Sequence, residues 1–227
     1  MHSSARSAVR LTLRTLPIAC LAGSAFAAEI RVRVVDQAGA AVPDVAIYAE
    51  PIDVGASSTP QATLGRSAVM DQVGSQFVPH ILVIQTGTEV LFPNSDVVSH
   101  HVYSFSETKT FELDLYRGNI HPPQLFDRSG LVVVGCNIHD GMLGFILVVD
   151  TPYFGKTGDD GTLVLPEMPQ GSYRVAAWTP RASVRDLPLP LDASAAASGR
   201  QDLTFHLTSK LKPAHTNGHG SLKWKHY

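Results

Sequence analysis

Residues 131–150 read LVVVGCNIHDGMLGFILVVD. An apolar run delivers Cys136, a tight polar loop carries His139, and Met142 sits where the chain re-enters a second apolar run. Both runs are short, rich in Val, Leu, Ile and Phe, and free of helical periodicity. They read as buried β-strands, Leu131 to Cys136 and Gly144 to Asp150.

Outward from this stretch the same pattern repeats. Short runs of Val, Ile, Leu, Phe and Tyr alternate with clusters of Gly, Pro, Asn and Asp, which predicts strands at Glu29 to Val35, Val45 to Glu50, Ser67 to Asp71, His80 to Gln85, Glu89 to Pro93, His100 to Phe105, Thr110 to Leu113, Gly161 to Leu165, Ser172 to Trp178 and Asp202 to Leu207. With the first two, these make an all-β chain with enough strands for two sandwiches. The Ser-, Thr-, Gly- and Pro-rich stretch from Ile52 to Gly65 reads as a linker, and Thr151-Pro152 marks a second break.

The 227 residues, 44% of them hydrophobic and 17% charged, exclude a wholly disordered or fibrous chain. Residues 1–27 differ from the rest: Arg6, Arg10 and Arg14 with no acid, then an apolar run ending in Ala25-Phe26-Ala27. This is the pattern of a secretory signal peptide, too short in its apolar core to serve as a transmembrane anchor. Cleavage after Ala27 would remove three arginines and no acid, so the formal charge of −2 becomes −5, which argues against nucleic acid as a partner. It would also remove Cys20, whose surroundings lack the aliphatic residue that lipidation expects where Pro17 stands. An exported chain then keeps one cysteine, Cys136, in a compartment where cysteines usually pair. A lone thiol there is a reactive group, an intermolecular bridge or a metal ligand, and its neighbours decide which.

Those neighbours favour a metal. Cys136, His139 and Met142 offer a thiolate, an imidazole and a thioether from one loop, a soft set suited to Cu(I). A second imidazole would complete the trigonal His2Cys set with a weak axial Met found in electron-transferring copper sites. The segment VLFPNSDVVSHHVYSF, Val90 to Phe105, can supply it: an Asn94-Ser95-Asp96 turn ends one strand, and His100 and His101 open the next. Strand alternation sends these two histidines to opposite faces, so only one can serve. His80, His121 and His206 read as surface or locally satisfied histidines, and Met70 and Met168 as core residues.

Together these segments resemble cupredoxins. VLFPNSDVVSHHVYSF is similar to the "F-x-N … H-x-V" segment of plastocyanins and amicyanins, the Cys-x2-His-x2-Met spacing to that of amicyanins, and MDQVGSQFVPHILVIQTGTEV to the strands that lead into that segment. The resemblance covers Ser67 to Asp150 and implies a Greek-key β-sandwich holding one type 1 copper ion. Its register, counted from Phe92 through Asn94, puts His100 on the ligand position with Cys136, His139 and Met142, and leaves His101 on the following one. The chain departs from amicyanins at Asp140-Gly141, where that family has a Pro-Phe pair. This arrangement, with HHVYSFS and GCNIHD before VVDTPYF, also resembles bacterial proteins labelled methylamine utilization or plastocyanin-like proteins, a label that does not assign methylamine as a substrate.

The flanking pieces RVRVVDQAGAAVPDVAIYAEP and GKTGDDGTLVLPEMPQGSYRVAAWTPR resemble the hairpins of carboxypeptidase regulatory-like, transthyretin-like domains. The organisation implied is a signal peptide over 1–27, a transthyretin-like sandwich split between 28–62 and 151–208, a cupredoxin-like domain over 66–150 inserted in or next to it, and a flexible basic, His-containing tail over 209–227. The function implied is that of a periplasmic electron carrier without enzymatic activity, meeting a cytochrome or dehydrogenase. The alternatives are periplasmic copper storage or delivery, and a structural module with a vestigial copper loop.

Overall fold

The computed structural model describes residues 28–52, 65–183, 185, 187, 190–195 and 199–213. The expected signal peptide, most of the linker and residues 214–227 of the tail lie outside the described residues. Within them every named element is a strand, and no helix is long and apolar enough to cross a membrane.

The first sandwich draws on described residues on either side of the second, from 28–51 and from 154–206. One sheet has the order β14 (Thr162–Met168), β1 (Ala28–Val35), β17 (Arg200–His206); the other runs β13 (Phe154–Lys156), β2 (Ala46–Pro51), β15 (Gly171–Trp178), β16 (Leu191–Ala195). In β1, Ile30, Val32 and Val34 are buried while Arg31 and Arg33 are exposed, the period of two expected of a strand with one covered face. These residues share a core with Leu165 and Phe205 of their own sheet and with Ile47, Tyr173 and Val175 of the facing one. β1 pairs antiparallel with β14 and parallel with β17.

The second sandwich lies wholly between Ser67 and Val149. A sheet of order β10 (Gln124–Phe126), β7 (Thr88–Leu91), β3 (Ser67–Val69) faces one of order β6 (Ile81–Gln85), β12 (Leu143–Val149), β11 (Gly130–Cys136), β8 (His100–Ser106), β9 (Lys109–Tyr116). A small β4 (Asp71–Gln72) and β5 (Phe77–Val78) pair closes one side. Val90 and Phe126 from one sheet meet Val102, Phe111, Val132, Val134 and Ile146 from the other in one core.

The unbroken apolar run of β12 follows from its place. Ile146 and Val148 point into the second sandwich's core. Leu147 and Val149 point the other way and, with Ile81, pack on Ala46, Tyr48, Phe154 and Trp178 of the first sandwich. A strand covered on both faces has no polar face to show. Burying the side chains of Ile81, Leu147 and Val149 contributes at most about 1.5–3 kcal/mol each to this contact. The Phe145 ring, 5.6 Å from that of Trp178, extends the contact.

The structure adds four strands to the sequence reading and divides one. β5, β10, β13 and β16 have no counterpart among the strands read from the sequence, and the run from Ser67 to Asp71 splits, β3 pairing with β7 and β4 with β5.

Candidate metal centre

The centre forms at one end of the five-stranded sheet, where β8 and β11 lie side by side. Cys136 ends β11 directly opposite Val102 of β8. The loop beyond it is closed by two backbone bonds: Cys136 N–H donates to the Met142 carbonyl at 3.2 Å, and Met142 N–H donates to the His139 carbonyl at 3.2 Å. Gly141 makes the return possible by adopting φ 82, a left-handed conformation that a residue with a Cβ rarely takes. A further bond from Asn137 N–H to the His101 carbonyl at 3.4 Å moors the loop to β8.

His100 opens β8 with its side chain directed inward and 0% exposed. A bulge helps to place it: the step from His100 to Val102 is matched by the longer step from Tyr116 to Leu113, so β9 carries the extra residue and turns both Leu113 and Tyr116 toward the core. The Tyr116 hydroxyl donates to the Phe92 carbonyl at 2.5 Å and accepts from Gln72 Nε2 at 2.6 Å. Burial pushes this phenol up to about 12.

Three donor atoms converge. Cys136 Sγ lies 3.7 Å from His100 Nδ1 and 3.6 Å from His139 Nδ1, and the two Nδ1 atoms are 3.1 Å apart. A three-coordinate first-row cation with bonds of about 2.0 Å to nitrogen and about 2.3 Å to sulfur needs a triangle with edges of roughly 3.5 and 3.7 Å. The two sulfur edges match, and the nitrogen edge needs only a slight opening. The donor set therefore fits a copper ion in both size and softness. Met142, adjacent in the loop, is buried in the same core cluster as Cys136. Cys136 is also buried and forms no disulfide among the described residues. His139 is half-buried and forms the solvent side of the group, whereas His100 forms its inner side.

Asp96 holds the far nitrogen of His100. Its Oδ2 lies 3.0 Å from His100 Nε2 and accepts the Ser75 N–H at 2.7 Å, while its Oδ1 accepts the Val97 N–H at 2.8 Å. Partial burial would push the Asp96 carboxyl up, but those bonds and the nearby imidazole outweigh it and hold the group below the usual carboxylate range. Sequence reasoning placed Asp96 only in a turn. The available signal was its spacing from His100 behind an Asn94 able to form an Asx turn.

The remaining candidates fall as follows. His101 faces outward, with Nε2 2.9 Å from Glu112 Oε1, and forms a separate, more exposed grouping with Glu112 and Asp114. His121 stacks edge-on against Tyr116 with ring centroids 4.5 Å apart, and His206 is exposed. The His80 ring bonds the Leu143 carbonyl at 3.0 Å. Met70 and Met168 are buried in the two cores.

No protein-family profile and no curated protein matches the sequence. Among solved structures, the chain is similar to a purple cupredoxin from Nitrosopumilus maritimus, with 21% identity over 37% of this chain and 99% of that one at a TM-score of 0.32. It is similar to the reduced form of an amicyanin variant, with 17% identity over 37% of this chain and 84% of that one at a TM-score of 0.34. A third likeness is to the copper-containing nitrite reductase NirK from Thermus scotoductus SA-01, at 26% identity and a TM-score of 0.36, covering 44% of this chain and only 25% of that enzyme.

Proposed function

We propose that this chain is a one-electron carrier that holds a single copper ion through His100, Cys136, His139 and Met142. The observation that carries the reading is the triangle of Cys136 Sγ with the Nδ1 atoms of His100 and His139, with sides of 3.1 to 3.7 Å. Copper held by such a set passes between Cu(I) and Cu(II) with little rearrangement, because the ligands lie between the preferences of the two states.

The protein's part is to fix the donors and exclude water. β8 and β11 hold His100 and Cys136 on rigid neighbouring strands, and the closed loop brings back His139 and Met142. Four protein donors leave no open position for a substrate, so the chain acts by electron transfer and not as an enzyme. His139, on the solvent side, is the exit for the electron toward a redox protein such as a cytochrome or dehydrogenase. Export to the periplasm agrees with the arginine-led apolar N-terminus and the single remaining cysteine. The stretch 66–150 acts as the copper domain, and the sandwich built from 28–62 and 151–208 is a transthyretin-like platform for docking.

The test is to add Cu(II) to the purified protein lacking residues 1–27 and record its visible and paramagnetic resonance spectra. An intense thiolate-to-copper band with narrow hyperfine splitting is expected, abolished by Cys136→Ser and His100→Ala and retained by His101→Ala. A colour that survives the cysteine change defeats the reading.

A further inference from the structure

Asp96 is immobilised before it meets His100. Its backbone N–H donates to Asn94 Oδ1 at 3.0 Å, its Oδ2 is held by the Ser75 N–H at 2.7 Å, and its Oδ1 by the Val97 N–H at 2.8 Å. The carboxylate thus presents Oδ2 to His100 Nε2 from a fixed direction, at 3.0 Å and with His100 fully buried. An ionised carboxylate can only accept, so Nε2 must carry the proton and donate. The lone pair of the neutral ring is then on Nδ1, the atom 3.7 Å from Cys136 Sγ and 3.1 Å from His139 Nδ1. The opposite tautomer would set a lone pair against the carboxylate and aim an N–H into the donor triangle.

We propose that Asp96 is a positioning residue, which fixes His100 in the Nε2–H tautomer with Nδ1 turned toward Cys136 and His139 and biases copper held there toward Cu(II). The second half rests on the function proposed above; the first does not. The tautomer follows from the hydrogen bond, and the bias from a negative charge one imidazole away from the metal. A neutral acceptor in the same place would keep the tautomer and lose the bias.

Nitrogen-15 NMR of the copper-free protein, with its imidazoles neutral, reports which ring nitrogen of His100 is protonated. Nε2–H in the wild type, giving way to a tautomer mixture in Asp96→Ala, is the expected result. Nδ1–H in the wild type overturns the proposal without recourse to any variant. Asp96→Asn keeps an oxygen that can accept from Nε2. It should preserve the tautomer, lower Cu(II) affinity about tenfold with Cu(I) affinity unchanged, and so raise the reduction potential by about 59 mV. An unchanged potential removes the electrostatic half. A wild type with the expected tautomer that takes up no copper supports the positioning role and defeats the electron-carrier reading, so the two failures are distinct.

Discussion

Asn94 is buried and uses its whole side-chain amide. Nδ2 donates to the Tyr116 carbonyl at 2.8 Å and the Val98 carbonyl at 3.0 Å, and Oδ1 accepts from Asp96 N–H. Its backbone also exchanges two hydrogen bonds with Gly118. The residue thereby ties the turn carrying Asp96 to the end of β9 that faces His100. Asn94→Asp keeps the shape and loses both donations, leaving a carboxylate oxygen against two carbonyls. It should lower stability by about 2–4 kcal/mol in urea unfolding at neutral pH, and weaken copper uptake as the turn loosens. The candidate site was legible where it is local: Cys136, His139 and Met142 share one loop, and a cysteine flanked in this way points to a metal. His100 could be told from His101 only through a resemblance, because alternation says that the two diverge and not which one faces inward. Asp96 was legible only as a turn residue close to His100 in sequence, since its fixed direction depends on Ser75 and Asn94 closing around it in space.

At the scale of the element, the turn that carries the chain from β13 in one sheet to β14 in the other shows how tightly one turn can be enclosed. Gly161 has φ 70, and a Cβ placed there would meet the Val34 carbonyl oxygen at 2.8 Å, the Val42 nitrogen at 2.9 Å and Ala41 Cβ at 3.0 Å. Its own carbonyl accepts the Val34 N–H at 2.9 Å, so the turn is bonded to the end of β1. Backbone on two sides cannot yield as a side chain would. Gly161→Ala should cost about 2–4 kcal/mol, read as a lowered urea midpoint at unchanged m-value, with the copper spectrum intact because the site lies in the other sandwich. Strand legibility follows the same local logic. β11 and β12 stand out as long apolar runs, and β1 by strict alternation. β16, LDASA, has no β-branched or aromatic residue, and β5 and β4 are two residues each, so only their partners make them strands. The break between β3 and β4 was hidden because each half is strand-like and only the change of partner separates them.

For the whole molecule, the two cores set the response to alkali. Tyr173 is buried in the first sandwich, donates to the Pro169 carbonyl at 2.9 Å and stacks edge-on with Tyr153. Burial foremost, with Tyr153 beside it, pushes its phenol from 10.0 up to about 12. A folded value above the unfolded one means that the native state keeps its proton longer. This contribution is whole below pH 10 and is lost as pH rises toward 12. Unfolding free energy should therefore fall by about 2 kcal/mol more across that window in the wild type than in Tyr173→Phe, as measured by urea titrations at several pH values.

The pairing of β1 gives the chain a direction in time. Its partners are β14 and β17, with Glu29 set beside Arg200, so β1 has no partner strand until β14 has been made, and its three-stranded sheet is complete only with β17. The segment from Ser67 to Val149 depends on no such wait, since each of its sheets is paired within itself. Once it has condensed, the ends flanking it are drawn together and the loop to be closed around it is shorter in effect. The grouping of His100, Cys136 and His139 should thus be able to assemble on a nascent chain, while the first sandwich must await β17.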